Sequence, residues 1–127
     1  AAQGLMSEEG GSVLTLTYIG GERTTPNYNV MGVAKSALEA SVRYLSVDLG
    51  KNNIRVNTVS PGGLEGKIAG KELQQDEVFK EKYISRTPMK RMCKPSDLVQ
   101  TYLFLSSNDS SYITGQDFIV DGGFSLN

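Results

Sequence analysis

The stretch NIRVNTVSPGG, residues 53–63, decides the fold class. Its first part is a short run rich in β-branched and apolar side chains, which is typical of a strand buried on both faces. Pro61, Gly62 and Gly63 then end the strand, because proline cannot donate to a sheet ladder and glycine favours turns. A strand of this kind predicts a parallel sheet whose two faces are covered by helices.

The residues before this strand predict a helix and an earlier strand. Residues 27–49 contain no proline and repeat small and apolar side chains at helical spacing. Residues 12–20, SVLTLTYIG, have the composition of another buried strand. Residues 1–11 resemble the last turn of a helix followed by a glycine-rich turn, so we expect a domain entered midway. Strand, helix and strand in this order predict a right-handed βαβ crossover.

The residues after the central strand continue the alternation. Residues 64–86 are rich in charged and amide side chains, with apolar residues at roughly helical intervals, which predicts an exposed helix or mobile flap. Pro95, Ser96 and Asp97 resemble the N-capped start of a helix. Residues 114–123, TGQDFIVDGG, predict a turn, a strand and a glycine-rich exit. The fold class is therefore α/β.

Composition and charge restrict the function. The 127 residues are 39% hydrophobic and 21% charged, which is typical of one soluble globular domain. The 13 basic and 14 acidic residues include no basic tract, which disfavours nucleic acid and anionic membranes as partners. Cys93 is the single cysteine and histidine is absent, so we expect no disulfide, no metal site and a cytoplasmic location. The sequence has no apolar run of about 18 residues that would predict a membrane span.

Two features indicate a partial domain. Three strands are fewer than the usual five or six of a doubly wound sheet. The dinucleotide fingerprint G-x-G-x-x-G is also absent from the sequence. We therefore expect residues 1–127 to form a single partial domain without the nucleotide-fingerprint half.

Tyr28 and Lys35 are the first candidate site residues. They lie seven residues apart, so in a helix of about 3.6 residues per turn they share one face and can serve one ligand. An ammonium close to a phenol would lower the pKa of the phenol. The alternative is a half-buried tyrosine and a solvated lysine on an amphipathic helix.

The order of these motifs resembles the C-terminal half of a short-chain dehydrogenase/reductase, over nearly the whole chain. The spacing of Tyr28 and Lys35 is similar to that of the enoyl-acyl-carrier-protein reductases. Ordinary members of the superfamily place the tyrosine at the position of Met31 and a serine at the position of Tyr18. Both shifted landmarks resemble the enoyl branch. The resemblance implies the C-terminal half of a Rossmann-like doubly wound parallel sheet.

The resemblance also implies a reaction and its site residues. NADH or NADPH would reduce the carbon-carbon double bond of an enoyl thioester of acyl carrier protein or coenzyme A, in fatty-acid synthesis. Tyr28 would hydrogen-bond the thioester carbonyl, and Lys35 would hold the nicotinamide ribose. Gly62 and Leu64 would border the cofactor. Tyr18 would either line the substrate pocket or have only a packing role in the fold. The family implies a homotetramer.

The long helix also favours a homo-oligomer, because Val42, Tyr44 and Val47 lie outside its main apolar stripe. In the segment at 64–86, Lys67 and Lys71 either meet an acidic carrier protein or belong to a solvated face of mixed charge.

Other parts of the chain leave alternatives open. Residues 86–126 look more like an ordinary carbonyl-reducing member. The enoyl branch has a threonine shortly after the central strand, whereas this chain has Glu65 there, which would bring negative charge towards a pyrophosphate. Three hypotheses follow: an enoyl thioester reductase, an ordinary carbonyl reductase, or a non-catalytic fragment or homologue.

Overall fold

Three parallel strands form one sheet at the centre of the fold. The computed structural model describes residues 2–6, 8–65 and 77–127. The strands lie in the order β1, β2, β3, with the bounds Gly11–Leu16, Ile54–Pro61 and Asp117–Val120. All three predicted strands and their parallel pairing are confirmed, in a mixed α/β fold.

The two longer strands differ in burial. All eight residues of β2 are buried, because β1 and β3 flank it. β1 is only half-buried along its length, so the expectation of full burial was wrong. The reason is that, among the strands in the described ranges, β1 pairs with β2 alone, from Gly11 opposite Ile54 to Leu16 opposite Val59.

The helices agree with the sequence pattern except at their ends. Their bounds are Ala2–Met6 (α1), Asn29–Gly50 (α2), Glu77–Arg86 (α3) and Pro95–Ser106 (α4). α2 begins two residues later than predicted, because Asn27 has a left-handed φ of 61° and Tyr28 is the N-cap. Over the described residues, no helix combines the length and apolar character needed to span a bilayer.

The prediction of an exposed segment at residues 64–86 is corrected in part. Residues 77–86 form α3, as the helical intervals indicated. Tyr83, however, is buried, because its ring stacks on Phe124 near the C-terminus. Lys67 and Lys71 lie outside the described residues.

The predicted helix start at Pro95, Ser96 and Asp97 is confirmed as the first turn of α4. Lys94, the residue before Pro95, occupies the N-cap position. The Asp97 carboxylate accepts the backbone N–H of Lys94 at 2.8 Å and pairs with Arg91 at 2.5 Å. Hydrogen bonds from the Arg91 side chain and the Lys94 backbone lower the pKa of Asp97 to about 2. The helix therefore begins at Pro95, whose fixed φ suits the first turn.

The core lies between the sheet and the helices. Val59 of β2 is buried with Leu98 and Leu105 of α4. On α2, Val42 is buried although the sequence placed it outside the apolar stripe, whereas Tyr44 and Val47 are exposed. α2 thus covers β2 and leaves a second apolar face uncovered in this chain.

The exit from β3 is a glycine turn, as predicted. Gly122 and Gly123 have φ values of 64° and 86°, which glycine adopts without strain. The Asp121 carboxylate accepts the N–H groups of Gly123 at 2.8 Å and Ser125 at 2.7 Å. Asp121 therefore has a structural role in holding the C-terminal residues against the sheet.

Candidate active site

The predicted tyrosines and lysine gather where β1 ends and α2 begins. Leu16 is the last residue of β1, and Tyr18 follows it by two positions. The short 3-10 helix Ile19–Gly21 comes next, and Tyr28 caps the start of α2. This is the edge at which open α/β sheets bind their ligands.

The rings of Tyr18 and Tyr28 contact each other edge to face. Their centroids are 5.2 Å apart and their planes are inclined by 67°. Gly20 permits this arrangement, because a Cβ atom there would lie 2.5 Å from Cδ1 of Tyr28. Gly32, one turn into α2, likewise lets the helix approach the Gly20 carbonyl. The structure thus joins the two predicted tyrosines in one wall of the site.

Lys35 reaches the same segment from the second turn of α2. Its Nζ donates a hydrogen bond to the Leu16 carbonyl oxygen at 2.8 Å, and its side chain is half-buried. Although Tyr28 is the cap rather than a helical residue, both it and Lys35 meet residues 16–20. Tyr28 therefore contacts Tyr18, and Lys35 bonds the end of the strand that precedes Tyr18. The spacing predicted the pairing of Tyr28 with Lys35, whereas Tyr18 was assigned to the site by the resemblance to the enoyl branch.

The protonation state of the tyrosines differs from the prediction. Burial raises the pKa of Tyr28 above its ordinary value of 10.0. Burial, followed by repulsion from Tyr28, raises the pKa of Tyr18. The expectation that Lys35 lowers the pKa of Tyr28 was wrong, because desolvation dominates and the ammonium bonds the Leu16 carbonyl. Both phenols are neutral donors near pH 7.

Glu39 is a residue that sequence reasoning missed. It is 8% exposed, and its Oε1 accepts the hydroxyl of Thr17, which lies between Leu16 and Tyr18. Gly21 leaves room for this carboxylate, since a Cβ atom there would lie 2.5 Å from Oε1. Glu39 follows Lys35 by four residues on the same helix face, which was the available signal. It ties the segment after β1 to α2.

The turn after β2 carries the two other predicted residues. The Gly62 N–H donates to Val120 of β3 at 2.9 Å, so this amide is used within the sheet. Leu64 pairs with Cys93 in a parallel bridge and packs against the buried cluster that contains Val59. The candidate residues Gly62 and Leu64 therefore lie at the carboxyl end of β2, where the half-buried Leu64 side chain packs against the core.

Tyr83 also contacts this turn, and helical spacing was the only sequence signal for this residue. Its hydroxyl oxygen accepts the backbone N–H of Gly63 at 2.6 Å. Burial raises its pKa far above the ordinary value. The site is thus bounded by three tyrosines, from the β1 end, the α2 cap and α3.

Comparison with known proteins places this geometry in a family. A family model described as enoyl-(acyl carrier protein) reductase matches residues 1–125. The chain belongs to this enoyl reductase family. Among curated relatives, it is 46% identical over 121 residues to the enoyl-[acyl-carrier-protein] reductase [NADH] of Bacillus subtilis strain 168, which covers 95% of the chain and 46% of that protein. The chain spans about half the length of the curated relatives it matches.

Solved structures agree with this family assignment. The Bacillus cereus enoyl-acyl carrier protein reductase, crystallised with NADP+ and an indole naphthyridinone, matches with a TM-score of 0.90 and 41% identity, over 99% of this chain and 48% of that one. The Aquifex aeolicus enoyl-[acyl-carrier-protein] reductase (NADH) matches with a TM-score of 0.88 and 35% identity, over 98% and 48%. A Burkholderia cenocepacia gluconate 5-dehydrogenase, 24% identical, has a TM-score of 0.93 over 99% and 49%, which shows the fold alone.

This enoyl reductase family member also carries a half-buried acidic residue, Asp117, at the start of β3. Burial, together with repulsion from Glu39 and Glu22, raises the pKa of Asp117 to about 6. Its Oδ1 is buried and accepts no hydrogen bond from the described residues. Within residues 2–6, 8–65 and 77–127, no group of three or more potential metal ligands comes together.

Proposed function

We propose that this chain is the C-terminal part of an NAD(P)H-dependent reductase of the carbon-carbon double bond of enoyl thioesters, acting in fatty-acid synthesis. The observation that carries the proposal is the meeting of Tyr28 and Lys35, at enoyl-reductase spacing, with the segment that bears Tyr18. The curated Bacillus subtilis relative is named as an enoyl-[acyl-carrier-protein] reductase [NADH].

The donors at this edge fit the nicotinamide end of a dinucleotide. An ammonium and a neutral phenol lie at the carboxyl ends of parallel strands, where such ligands bind. The cofactor, NADH or NADPH, would supply hydride to the β-carbon. Lys35 would exchange the Leu16 carbonyl for ribose hydroxyls, and the backbone at Gly62 and Leu64 would border the nicotinamide.

Tyr28 would act on the substrate. Its O–H would donate a hydrogen bond to the thioester carbonyl oxygen and hold it as negative charge develops there. One such donor contributes about 3 to 4 kcal/mol to transition-state stabilisation. Tyr18, whose ring lies against Tyr28, would line the pocket for the acyl chain and fix the orientation of the Tyr28 ring.

The proposal extends to assembly and location. α2 exposes apolar side chains away from the sheet, with Tyr44 76% and Val47 79% exposed. This face favours a homo-oligomer, tetrameric if it follows the family. The single cysteine cannot form a disulfide within the chain, which favours a cytoplasmic enzyme. The acyl group would be carried by acyl carrier protein or coenzyme A.

A carbonyl reductase is the second candidate. A β-ketoacyl-ACP reductase structure matches this chain with a TM-score of 0.82 and 32% identity, over 98% of this chain and 52% of that one. The tyrosine at position 18, in place of a serine donor, favours the enoyl reaction instead.

Substrate choice separates the two reactions. The full-length reductase should oxidise NADH or NADPH with crotonyl-CoA and leave acetoacetyl-CoA unreduced, as followed by absorbance at a common substrate concentration. Equal or greater activity on the ketone would favour the carbonyl reductase. Inactivity on both, with a folded protein, would favour a non-catalytic homologue.

A further inference from the structure

α3 has one buried side chain, and it reaches the turn after β2. Tyr83 is 6% exposed, whereas the neighbouring residues of α3 are exposed or half-buried. Its hydroxyl oxygen accepts the N–H of Gly63 at 2.6 Å. A hydrogen bond between residues 20 positions apart ties the helix to the turn directly, even though residues 66–76 of the connection lie outside the described residues.

The Tyr83 ring is held from the other side by the C-terminal residues. It stacks on Phe124 with a centroid distance of 4.1 Å and an angle of 7° between planes. The Arg86 guanidinium lies 5.1 Å from the Phe124 centroid. Arg86 and Asn127 also exchange two hydrogen bonds, at 3.0 and 3.1 Å. The ring therefore has little freedom to leave the turn.

The turn is shaped to receive this ring. A Cβ atom on Gly63 would lie 2.9 Å from Cε1 of Tyr83 and 2.8 Å from Cε of Met92, so only glycine permits the contact. The Gly63 carbonyl accepts the Cys93 N–H at 2.8 Å, and the Glu65 N–H donates to Cys93 at 2.7 Å. The backbone N–H groups of Gly62, Gly63 and Glu65 therefore all donate hydrogen bonds, and the acceptor for Gly63 is the Tyr83 hydroxyl oxygen.

We propose that Tyr83 is a positioning residue, which through the Gly63 amide fixes the turn at residues 62–65 in the conformation that receives the nicotinamide end of the cofactor. This inference rests on the proposed function, because only a reductase that binds a dinucleotide would use this turn to border the cofactor. Residues 124–127 support the ring and so connect the C-terminus to cofactor binding.

The position of Tyr83 agrees with this role. Burial raises its pKa, and the nearby Tyr18 phenol adds to that rise, so Tyr83 lies within electrostatic reach of the site wall. Its hydroxyl stays protonated and offers its oxygen to the Gly63 N–H. Removing the oxygen leaves that N–H without its acceptor, while the ring and its stacking on Phe124 remain.

The test is Tyr83→Phe in the full-length reductase, with Tyr112→Phe as the matched control at a fully exposed tyrosine. We expect the KM for NADH or NADPH to rise about tenfold, with kcat changed less than about threefold, as an unpaired backbone donor would cause. Tyr112→Phe should change neither constant. A merely structural Tyr83 would lower the melting temperature and leave KM unaltered, so both are measured, with kinetics well below the melting temperature.

A second variant tests whether the stacking of Phe124 on the Tyr83 ring contributes to cofactor binding. Phe124→Leu removes the stacking partner and should raise the same KM in the same direction by a smaller factor. Unchanged cofactor KM in a folded Tyr83→Phe enzyme overturns the inference while leaving the proposed function intact. If the wild type does not reduce crotonyl-CoA, the proposed function fails, and cofactor dissociation constants from NADH fluorescence still decide the role of Tyr83. No binding by the wild type would overturn both.

Discussion

Tyr28 and Lys35 contribute differently to the proposed reaction, although both contact residues 16–20 at the end of β1. The Tyr28 hydroxyl would face charge that develops only in the transition state, whereas Lys35 would hold a group that is bound throughout. Substitutions of the two residues should therefore have different effects on kcat and on cofactor binding.

Tyr28→Phe should reduce kcat of the full-length reductase by about 10²-fold or more, because one charge-stabilising donor is lost. Its cofactor dissociation constant should change little. Lys35→Ala should weaken cofactor binding and turnover together. Steady-state kinetics with crotonyl-CoA and fluorescence titration with NADH measure both effects. Full activity in Tyr28→Phe would exclude this tyrosine from the chemistry.

Asp117 should make stability depend on pH. Its pKa is about 6 in the folded chain and near 3.8 when unfolded, so the folded state binds the proton more tightly. The protonated Asp117 carboxyl therefore contributes to the free energy of unfolding below about pH 4, and this contribution is lost as the pH rises through about 6. Asp117→Asn should therefore raise the melting temperature by a few degrees at pH 7.5 and by less at pH 4.

The control for Asp117 is Asp109→Asn, at an exposed position on the surface. Thermal unfolding followed by circular dichroism at both pH values gives the comparison. If Asp117→Asn changes the melting temperature equally at pH 4 and pH 7.5, the pKa of the Asp117 carboxyl group does not change on folding.

The sequence predicted some of these residues and not others, for a physical reason. Tyr28 and Lys35 lie close along the chain, so helical spacing placed them together, and the family resemblance added Tyr18. Glu39 and Tyr83 act through partners 22 and 20 residues away, Thr17 and Gly63, which no local period indicates. The pKa of Tyr28 likewise depends on burial that only the folded chain defines.

At the scale of the secondary-structure elements, α2 has two apolar faces that differ in burial. Val42 packs on the sheet, whereas Tyr44 and Val47 are exposed. The period of the helix predicted its existence and nearly its length, but not which residue outside the main stripe is buried, because that depends on the rotation of the helix over β2.

Val47→Glu should therefore shift the full-length reductase from a tetramer towards smaller species, because it places a charge in the proposed contact face. Ser85→Glu on α3 adds the same charge at an exposed polar position and should leave the assembly unchanged. Multi-angle light scattering at micromolar concentration measures both. A wild-type monomer under these conditions would contradict the proposed oligomer.

At the scale of the whole molecule, the 127 residues contain the proposed reaction end of the site, and their sequence has no phosphate-binding fingerprint. Helix N-terminal amides after a first strand normally hold the pyrophosphate. The isolated chain should therefore bind NADH or NADPH with a dissociation constant above about 1 μM, corresponding to less than about 8 kcal/mol of binding free energy. Isothermal titration calorimetry is the measurement, and sub-micromolar affinity would show that the present turns suffice.

The half-paired β1 has a consequence for handling this chain by itself. Within the described part of the chain, hydrogen-bonded pairing reaches β1 from the β2 side only. An edge of this kind is a template on which an extended segment of another molecule can add as a strand. Recombinant production of the 127 residues in isolation should consequently favour insoluble aggregates, and co-expression with the N-terminal half of a homologous reductase should increase the soluble yield.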